Sequence, residues 1–569
     1  VSDAEAPDLI LHNGVLLTMV EAVPRAQAVA VDGERILAIG SDEQVLSLAG
    51  ARTRLVDLQG RTLMPGFVDA HTHLFNDHEA LGTDLAGAQV LALRHGITTL
   101  ANMYTTEGFI QEMRAFEAAG KLLVRTSLYL SITTNCGEPT GDWWKAYSPT
   151  DEAGERLRIA GLKAFADGGT CGEIAASEEI LPGYGRGELF FSDAEMQAMF
   201  AEAEQLGYQL AVHAQGDVAV HQVLTALGSV VQDGGNDLRH RVEHNALVGP
   251  DSLPLYAQYD IVATLFGYFP TCAEAAWTPF YEEIGDNPRA LLDANPGGHF
   301  AWHGDDPWLE PISPLLELAS MVTRAEPDRA GGFCEPPDWL ERKAISVEEG
   351  LELMTTGAAY SLFRENEVGS LEVGKYADLI VISDDLTSVE SMALWDLDVL
   401  ITILGGDVVY CTESAEPLCS SISAEVSGLE LTPPVAGDGE LLETPKLRLE
   451  VSAELPDFPA EGAVDGLTDD TPWVSGLGPP QWIEFDLGAV RAVSGVRLWV
   501  DQDPAGVTRH RILGGEDPHP TDELAVLEGE TSWGQKLEIQ GDWQVRYLRV
   551  ETVVSPSWVA WLEVKILLD

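Results

Sequence analysis

The sequence is poor in positive charge. It carries 33 Lys and Arg, only eight of them Lys, against 92 Asp and Glu, for a formal net charge of −59 over 569 residues. Such a surface repels nucleic-acid phosphates and anionic membranes, so both are excluded as partners. Two settings suit the imbalance: a saline or extracellular medium rich in counterions, or a lineage whose proteins are acidic throughout. No run of about 18 apolar residues occurs, which excludes a membrane-spanning helix. Cysteine is scarce, with six residues and no Cys-x-x-Cys pair, which excludes a zinc ribbon. Cys136, Cys171, Cys272 and Cys334 lie scattered and are expected to be mostly buried thiols. Cys411 and Cys419 differ, because they bracket a short polar loop that a disulfide would close in an oxidising compartment. The sequence begins at Val1 with neither Met nor an apolar leader, so a removed signal peptide and a trimmed chain remain alternatives. Secretion, or residence in a bacterial-type periplasm, is the expected localisation.

What is present begins with Met64-Pro-Gly-Phe-Val-Asp-Ala-His-Thr-His73. It reads as an apolar strand ending in two histidines. Residues two apart on a strand point to one side, so His71 and His73 aim at a common point. A lone His-x-His is weak evidence for a metal, and the rest of the chain must supply further ligands. Upstream, residues 1–65 are punctuated by turn signals and read as the N-terminal part of a small β-sandwich; Asp32-Gly33 marks a hairpin turn. Over 66–363 strands alternate with helices, including Ser192–Leu206, which opens with a Ser-Asp cap. This favours a (β/α)8 barrel. The runner-up is an open doubly wound sheet, but no glycine-rich phosphate loop follows the first strand. Residues 364–412 return to β and are expected to pair with the N-terminal strands. Residues 413–447 read as a linker and 448–569 as an all-β domain holding seven of the 14 Trp.

A (β/α)8 barrel places its chemistry at the C-terminal ends of its strands. Those ends carry His71 and His73, then Lys163, His213, His244 and finally Asp305. These donors suit a borderline ion such as Zn²⁺. Pro-Gly-Phe-Val-Asp-Ala-His-Thr-His, Leu-Lys-Ala-Phe-Ala-Asp-Gly, His-Ala-Gln-Gly-Asp, Arg-His-Arg-Val-Glu-His and Gly-Asp-Asp-Pro, in that order, resemble the amidohydrolase superfamily. They are most similar to its amidohydrolase-3 branch, which includes N-substituted formamide deformylases. The resemblance covers about residues 8–412.

The resemblance implies two divalent metals, with zinc expected. His71, His73 and Asp305 would hold one, His213 and His244 the other, and Lys163 would bridge them as an N-carboxylated lysine. Asp305 would also act as the catalytic proton shuttle. The alternative is a one-metal site with Lys163 a spectator, paired for instance to Asp167. Asp306 is the other candidate acid. The one-metal deaminases of the superfamily usually place a Glu three residues after the fifth-strand His; here position 216 is Gly, which favours hydrolysis. Glu243 is read as pointing to the strand face opposite His244, with a structural role. Trp302, His303 and Tyr104 are candidate pocket residues, with Trp143, Trp144, Phe266, Tyr268 and Trp277 equally compatible with loop packing. The segment between His73 and Gly96 is short for the branch, which weakens any inference of substrate from the resemblance.

Ala463-Val-Asp-Gly-Leu-Thr-Asp-Asp-Thr-Pro-Trp473, Gln481-Trp-Ile-Glu-Phe-Asp-Leu-Gly and Val493-Ser-Gly-Val-Arg-Leu resemble the discoidin, or coagulation factor 5/8 type C, domain. That resemblance implies a galactose-binding-like jelly roll, a structural Ca²⁺ near Asp465 and Asp470, and a carbohydrate or cell-surface ligand, with Trp533 as an exposed stacking candidate. The expected activity is metal-dependent hydrolysis of an amide or cyclic amide in a small molecule. An ester, lactone or carbamate hydrolase and a non-catalytic glycan-binding protein are the competing readings.

Overall fold

The computed structural model describes residues 6–422, apart from 79–80, 82, 151–153, 184, 232–234, 273–276, 309–311 and 328–331, and then 440–441, 448–452, 463, 473–475 and 477–568 apart from 501–505, 532–534 and 556–558. Asp465, Asp470 and Trp533 lie outside the described residues. The chain divides into two compact units, 1–433 and 434–569.

The first unit is built on an eight-stranded parallel sheet whose strands follow one another in chain order. They are β1 (Phe67–Thr72), β2 (Ile97–Thr105), β3 (Arg125–Ser131), β4 (Leu157–Phe165), β5 (Gln209–Ala214), β6 (Arg241–His244), β7 (Val262–Phe266) and β8 (Phe300–His303). Helices alternate with them and cover the outer face, while the inner face has its own core, so the strands read as continuous apolar runs. Leu128, Leu162, Leu210, Val212 and Trp302 pack outward in the large core shared with the helices, while Ala101, Met103, Tyr129, Ala211 and Ala301 fill a separate inner core. The seam between β8 and β1 is bridged beyond the strand ends. Asp305 N–H donates to the His71 carbonyl at 3.0 Å, and His73 N–H to the Asp306 carbonyl at 2.7 Å. The helix Asp193–Gln205 is opened by the Ser192 capping box with Glu195, as its sequence predicts.

Chain flanks on both sides of the barrel form the small β subdomain. Leu379–Ile382 pairs antiparallel with Thr62–Pro65 in a six-stranded sheet that also takes Val15–Leu17, Arg25–Ala26, Val399–Leu404 and Asp407–Cys411. A four-stranded sheet of N-terminal strands shares its core through Leu9, Val29, Val31 and Val56. The Ala28–Asp32 and Arg35–Gly40 hairpin turns at Gly33, whose φ is +54°. Gly66 hands the chain from this subdomain to the barrel. A Cβ there would fall 2.2–2.8 Å from Thr98 side-chain atoms, so only glycine passes.

Two expectations are corrected here. Cys136–Cys171 and Cys272–Cys334 are disulfides, with Cα separations of 5.2 Å each, rather than buried thiols. They join loops 35 and 62 residues apart, a proximity that chain spacing does not reveal. Cys411–Cys419 closes as expected, and no cysteine is free. The segment that opens the assigned linker is instead a short 3₁₀ turn and the helix Glu416–Ile422. Its Cys419 and Ile422 join the subdomain core, and Arg54 bonds the Ile422 carbonyl.

Among the described residues, the second unit is an antiparallel eight-stranded assembly dominated by the long strands Gln481–Val500 and Gln535–Val554. Its core packs Trp473 against a tilted Trp561, ring centroids 4.8 Å apart, with Ile483, Phe485, Leu498 and Leu548. No helix among the described residues is long and apolar enough to cross a membrane.

Candidate active site

The strand-end side chains converge. His71 Nε2 lies 3.2 Å and His73 Nε2 3.5 Å from Asp305 Oδ1, and His244 Nδ1 lies 3.7 Å from Asp305 Oδ2. Donor atoms of His71, His244 and Asp305 all fall within 4.8 Å of one another. Lys163 Nζ is 3.3 Å from His71 Nε2, and the His213 ring packs 4.5 Å from His244. All six side chains thus gather at the C-terminal rim of the barrel.

Local backbone features aim them there. The pairing of β1 with β2 slips register between Asp69 and Thr72, an irregularity of the kind that re-aims side chains at barrel rims. β6 ends at His244, whose φ of +71° breaks the two-residue alternation, and Asn245 follows at +58°. Glu243 is therefore not directed away from the site. Its Oε2 accepts from His71 Nδ1 at 2.7 Å, and its Oε1 pairs with Arg241 Nε at 2.8 Å. Burial alone would raise the Glu243 carboxyl, but Arg241 and His71 hold it down at about 2. It is a carboxylate that orients His71 through Nδ1 and leaves Nε2 facing Lys163 and Asp305.

His213 is oriented differently, with Nε2 on the Gly168 carbonyl at 2.8 Å. That carbonyl sits in a turn anchored by Asp167, which accepts backbone N–H groups of Ala175, Gln215 and Gly216 at 2.8–3.0 Å. Asp167 is thereby committed to the backbone rather than to Lys163. Asp305, at φ +58°, is held well below the usual carboxylate range; burial opposes this, and His71 and His244 overcome it. Burial lowers the Lys163 amine to about 8 and His73 and His213 to about 3. His73 and His213 are accordingly neutral imidazoles, beside an easily neutralised amine and an ionised carboxylate.

These states are the ones that ligate a divalent ion. His73 Nδ1, His244 Nε2, both His303 ring nitrogens and Asp69 Oδ2 are buried with no hydrogen-bond partner among the described residues. Unsatisfied buried polar atoms beside a cluster of ligand-type side chains are costly unless something binds there, so the residues fit a metal. The sequence reading missed Asp69, whose Oδ1 accepts from the backbone N–H groups of His71 and Gly304 and which burial raises to about 8. Its place two residues before His71 was the available signal.

A cavity of about 280 Å³ opens onto this cluster. Beyond His73, Lys163, His213, His244 and Asp305, its lining is Asp77, Tyr104, Asn135, Phe165, Thr170 and Trp308. Tyr104, a candidate from the sequence, is among the lining residues. Trp302 is fully buried on the outer barrel face, with Nε1 donating to Glu317 Oε2 at 2.7 Å, and does not line the cavity. His303 is also fully buried, stacked 4.9 Å from His71 behind the cluster. Trp277 stacks on Tyr281 in a separate loop core. Asp77 and Trp308 carried no motif and went unnoticed.

Comparison with known proteins settles the lineage. A model of the amidohydrolase family, of the amidohydrolase-3 type, matches residues 54–93 and 76–410. The chain belongs to the amidohydrolase family. Among curated amidohydrolase relatives it is 26% identical to the putative amidohydrolase YtcJ of Bacillus subtilis (strain 168) over 272 residues, 45% of this chain and 48% of that one. It is 29% identical to the N-substituted formamide deformylase of Arthrobacter pascens, over 39% of this chain and 40% of that one. Imidazolonepropionase of Symbiobacterium thermophilum is 26% identical over 66% of this chain and 90% of its own length. The chain spans about half the length of the first two curated relatives it matches. In fold, it resembles an uncharacterized metal-dependent hydrolase from Pyrococcus horikoshii OT3, with a TM-score of 0.56, 18% identity, and coverage of 67% of this chain and 99% of that one.

Proposed function

We propose that this amidohydrolase is a metal-dependent hydrolase of a carbon–nitrogen bond in a small molecule, an amide or cyclic amide. The observation that carries the reading is the clustering of His71, His244 and Asp305 donor atoms within 4.8 Å of one another, beside a cavity that His73, Lys163, His213, His244 and Asp305 line. His71, His73 and Asp305 would hold one divalent ion, His213 and His244 a second, with zinc suited to the imidazole-rich set. Lys163, depressed by burial, is available as the neutral amine that adds carbon dioxide, and as a carbamate it would be shared by both ions. Bound ions supply Lewis acidity, which polarises the scissile carbonyl and makes water acidic enough to attack near neutral pH. The protein's own part is positional and protolytic. Glu243 and the Gly168 carbonyl fix the ring orientations of His71 and His213. Asp305 starts ionised, takes the attacking water's proton on a carboxylate oxygen and delivers it to the departing nitrogen.

Three disulfides that use every cysteine support export to an oxidising compartment, secreted or periplasmic. The antiparallel C-terminal unit with its tryptophan core is compatible with a discoidin-like module that takes a carbohydrate or cell-surface ligand. A calcium ion at Asp465 and Asp470 is suggested by sequence resemblance alone. The test is metal analysis alongside hydrolysis of a panel of amides, cyclic amides, esters, lactones and carbamates. Two ions per chain and preferential amide turnover are expected. Active protein with well under one ion per chain would overturn the metal-dependent reading, and preference for esters or lactones would replace the bond assigned.

A further inference from the structure

We propose, resting on the hydrolase reading above, that the substrate carries a cationic group beside the scissile bond, and that Asp77 and Trp308 are the residues that select it. Once the metal-facing side chains are set aside, Asp77 is the sole charged residue lining the cavity among the described residues. No arginine lines it, and the sole lysine is the buried Lys163 of the metal cluster. A substrate carboxylate would thus find no cation to pair with away from the metals, and would face Asp77 instead.

Asp77 is placed for recognition rather than for packing. Its backbone N–H donates to the His73 carbonyl at 2.8 Å, fixing the turn after β1. Its Oδ2 accepts from Trp308 Nε1 at 2.8 Å and lies 3.8 Å from His73 Nδ1, while its side chain stays 30% exposed. Trp308 is 54% exposed, and its backbone N–H donates to the Asp305 carbonyl at 3.1 Å. A large indole left open at a cavity mouth, with its N–H committed to a carboxylate, offers its π face to whatever enters. A carboxylate joined to an aromatic face is the chemistry that binds ammonium groups. Tyr104 also lines the cavity, and burial together with the Asp77 charge raises its hydroxyl above the usual phenol range. The net charge of −59 adds a long-range field that draws cations toward the mouth.

The test is a matched series of formanilides whose para substituent is trimethylammoniomethyl, neopentyl or carboxymethyl. The first two are near-isosteres that differ in charge. With metal-loaded full-length protein at low ionic strength, kcat/KM should favour the cation over its neutral isostere by about 10-fold or more. The preference should reside in KM, shrink with added salt, and leave the carboxylate slowest. In Asp77→Asn, compared at equal metal content, the cation-to-neutral ratio should fall toward one, and in Trp308→Leu it should fall part of the way. Turnover of the neutral compound with no cation preference in the wild type overturns this inference and leaves the hydrolase reading standing. No turnover of any of the three overturns the amide-hydrolase reading and the inference with it.

Discussion

Glu243 Oε2 accepts a hydrogen bond from His71 Nδ1 at 2.7 Å, with both side chains fully buried. The pair fixes the orientation of the His71 ring and turns Nε2 toward Asp305. Glu243→Gln retains the shape and removes the charge. It should weaken metal binding about 10–100-fold while the protein stays folded, because outer partners of ligating histidines typically contribute that much. Competition with a chromophoric chelator reads the affinity directly, and unchanged affinity would show that the pair serves only packing.

Asp305→Asn removes the ionised carboxylate between His71, His73 and His244. Turnover should drop by at least about 10²–10⁴-fold, the usual size of a general acid–base contribution. The far-ultraviolet circular dichroism should not change. Retained turnover would move the proton shuttle to another residue, with neighbouring Asp306 the first to examine.

Reduction of Cys136–Cys171 should affect the cavity first. The bridge closes 35 residues and lies next to Asn135 and Thr170, both cavity residues. It also sits on the turn whose Gly168 carbonyl orients His213. The double variant Cys136→Ser/Cys171→Ser should raise KM and lose about 3–4 kcal/mol of stability on the loop-entropy scale. Michaelis kinetics and denaturant titration would separate the two effects.

The C-terminal unit should be acid-labile through His510. This buried ring bonds Thr552 Oγ1 at 2.8 Å and Thr508 Oγ1 at 3.0 Å, and burial lowers it to about 3. Above pH of about 6.5 neither the folded nor the unfolded state protonates it, and it imposes no penalty. Between about 6.5 and 3 the unfolded chain takes up a proton that the folded chain refuses, so stability falls as pH falls through that window. In His510→Gln the unfolding midpoint should change less between pH 7 and pH 4 than in the wild type. Equal pH dependence would remove His510 from the account.

Much of this was legible in the sequence, and the failures have identifiable causes. The six side chains could be read because barrel geometry gathers strand C-terminal ends at one rim, and each lies within two residues of such an end. Glu243 was misread because alternation was carried through His244, where φ turns to +71°. Trp302 was misplaced for the converse reason: one residue before His303, it belongs to the outward face and bonds Glu317 on a covering helix. The cysteine pairs depend on which loops meet across the rim, information held in the closed barrel rather than in local spacing. Asp77 and Trp308 come together from positions 231 residues apart, with no motif around either.

Crystals of protein purified with zinc, measured at the zinc absorption edge, test the central claim most directly. Two anomalous peaks are predicted, one bounded by His71, His73 and Asp305 and the other by His213 and His244, with extra density continuous with Lys163 Nζ. A rim without any anomalous peak, or a single ion beside an unmodified Lys163 in fully active protein, would contradict the two-metal centre.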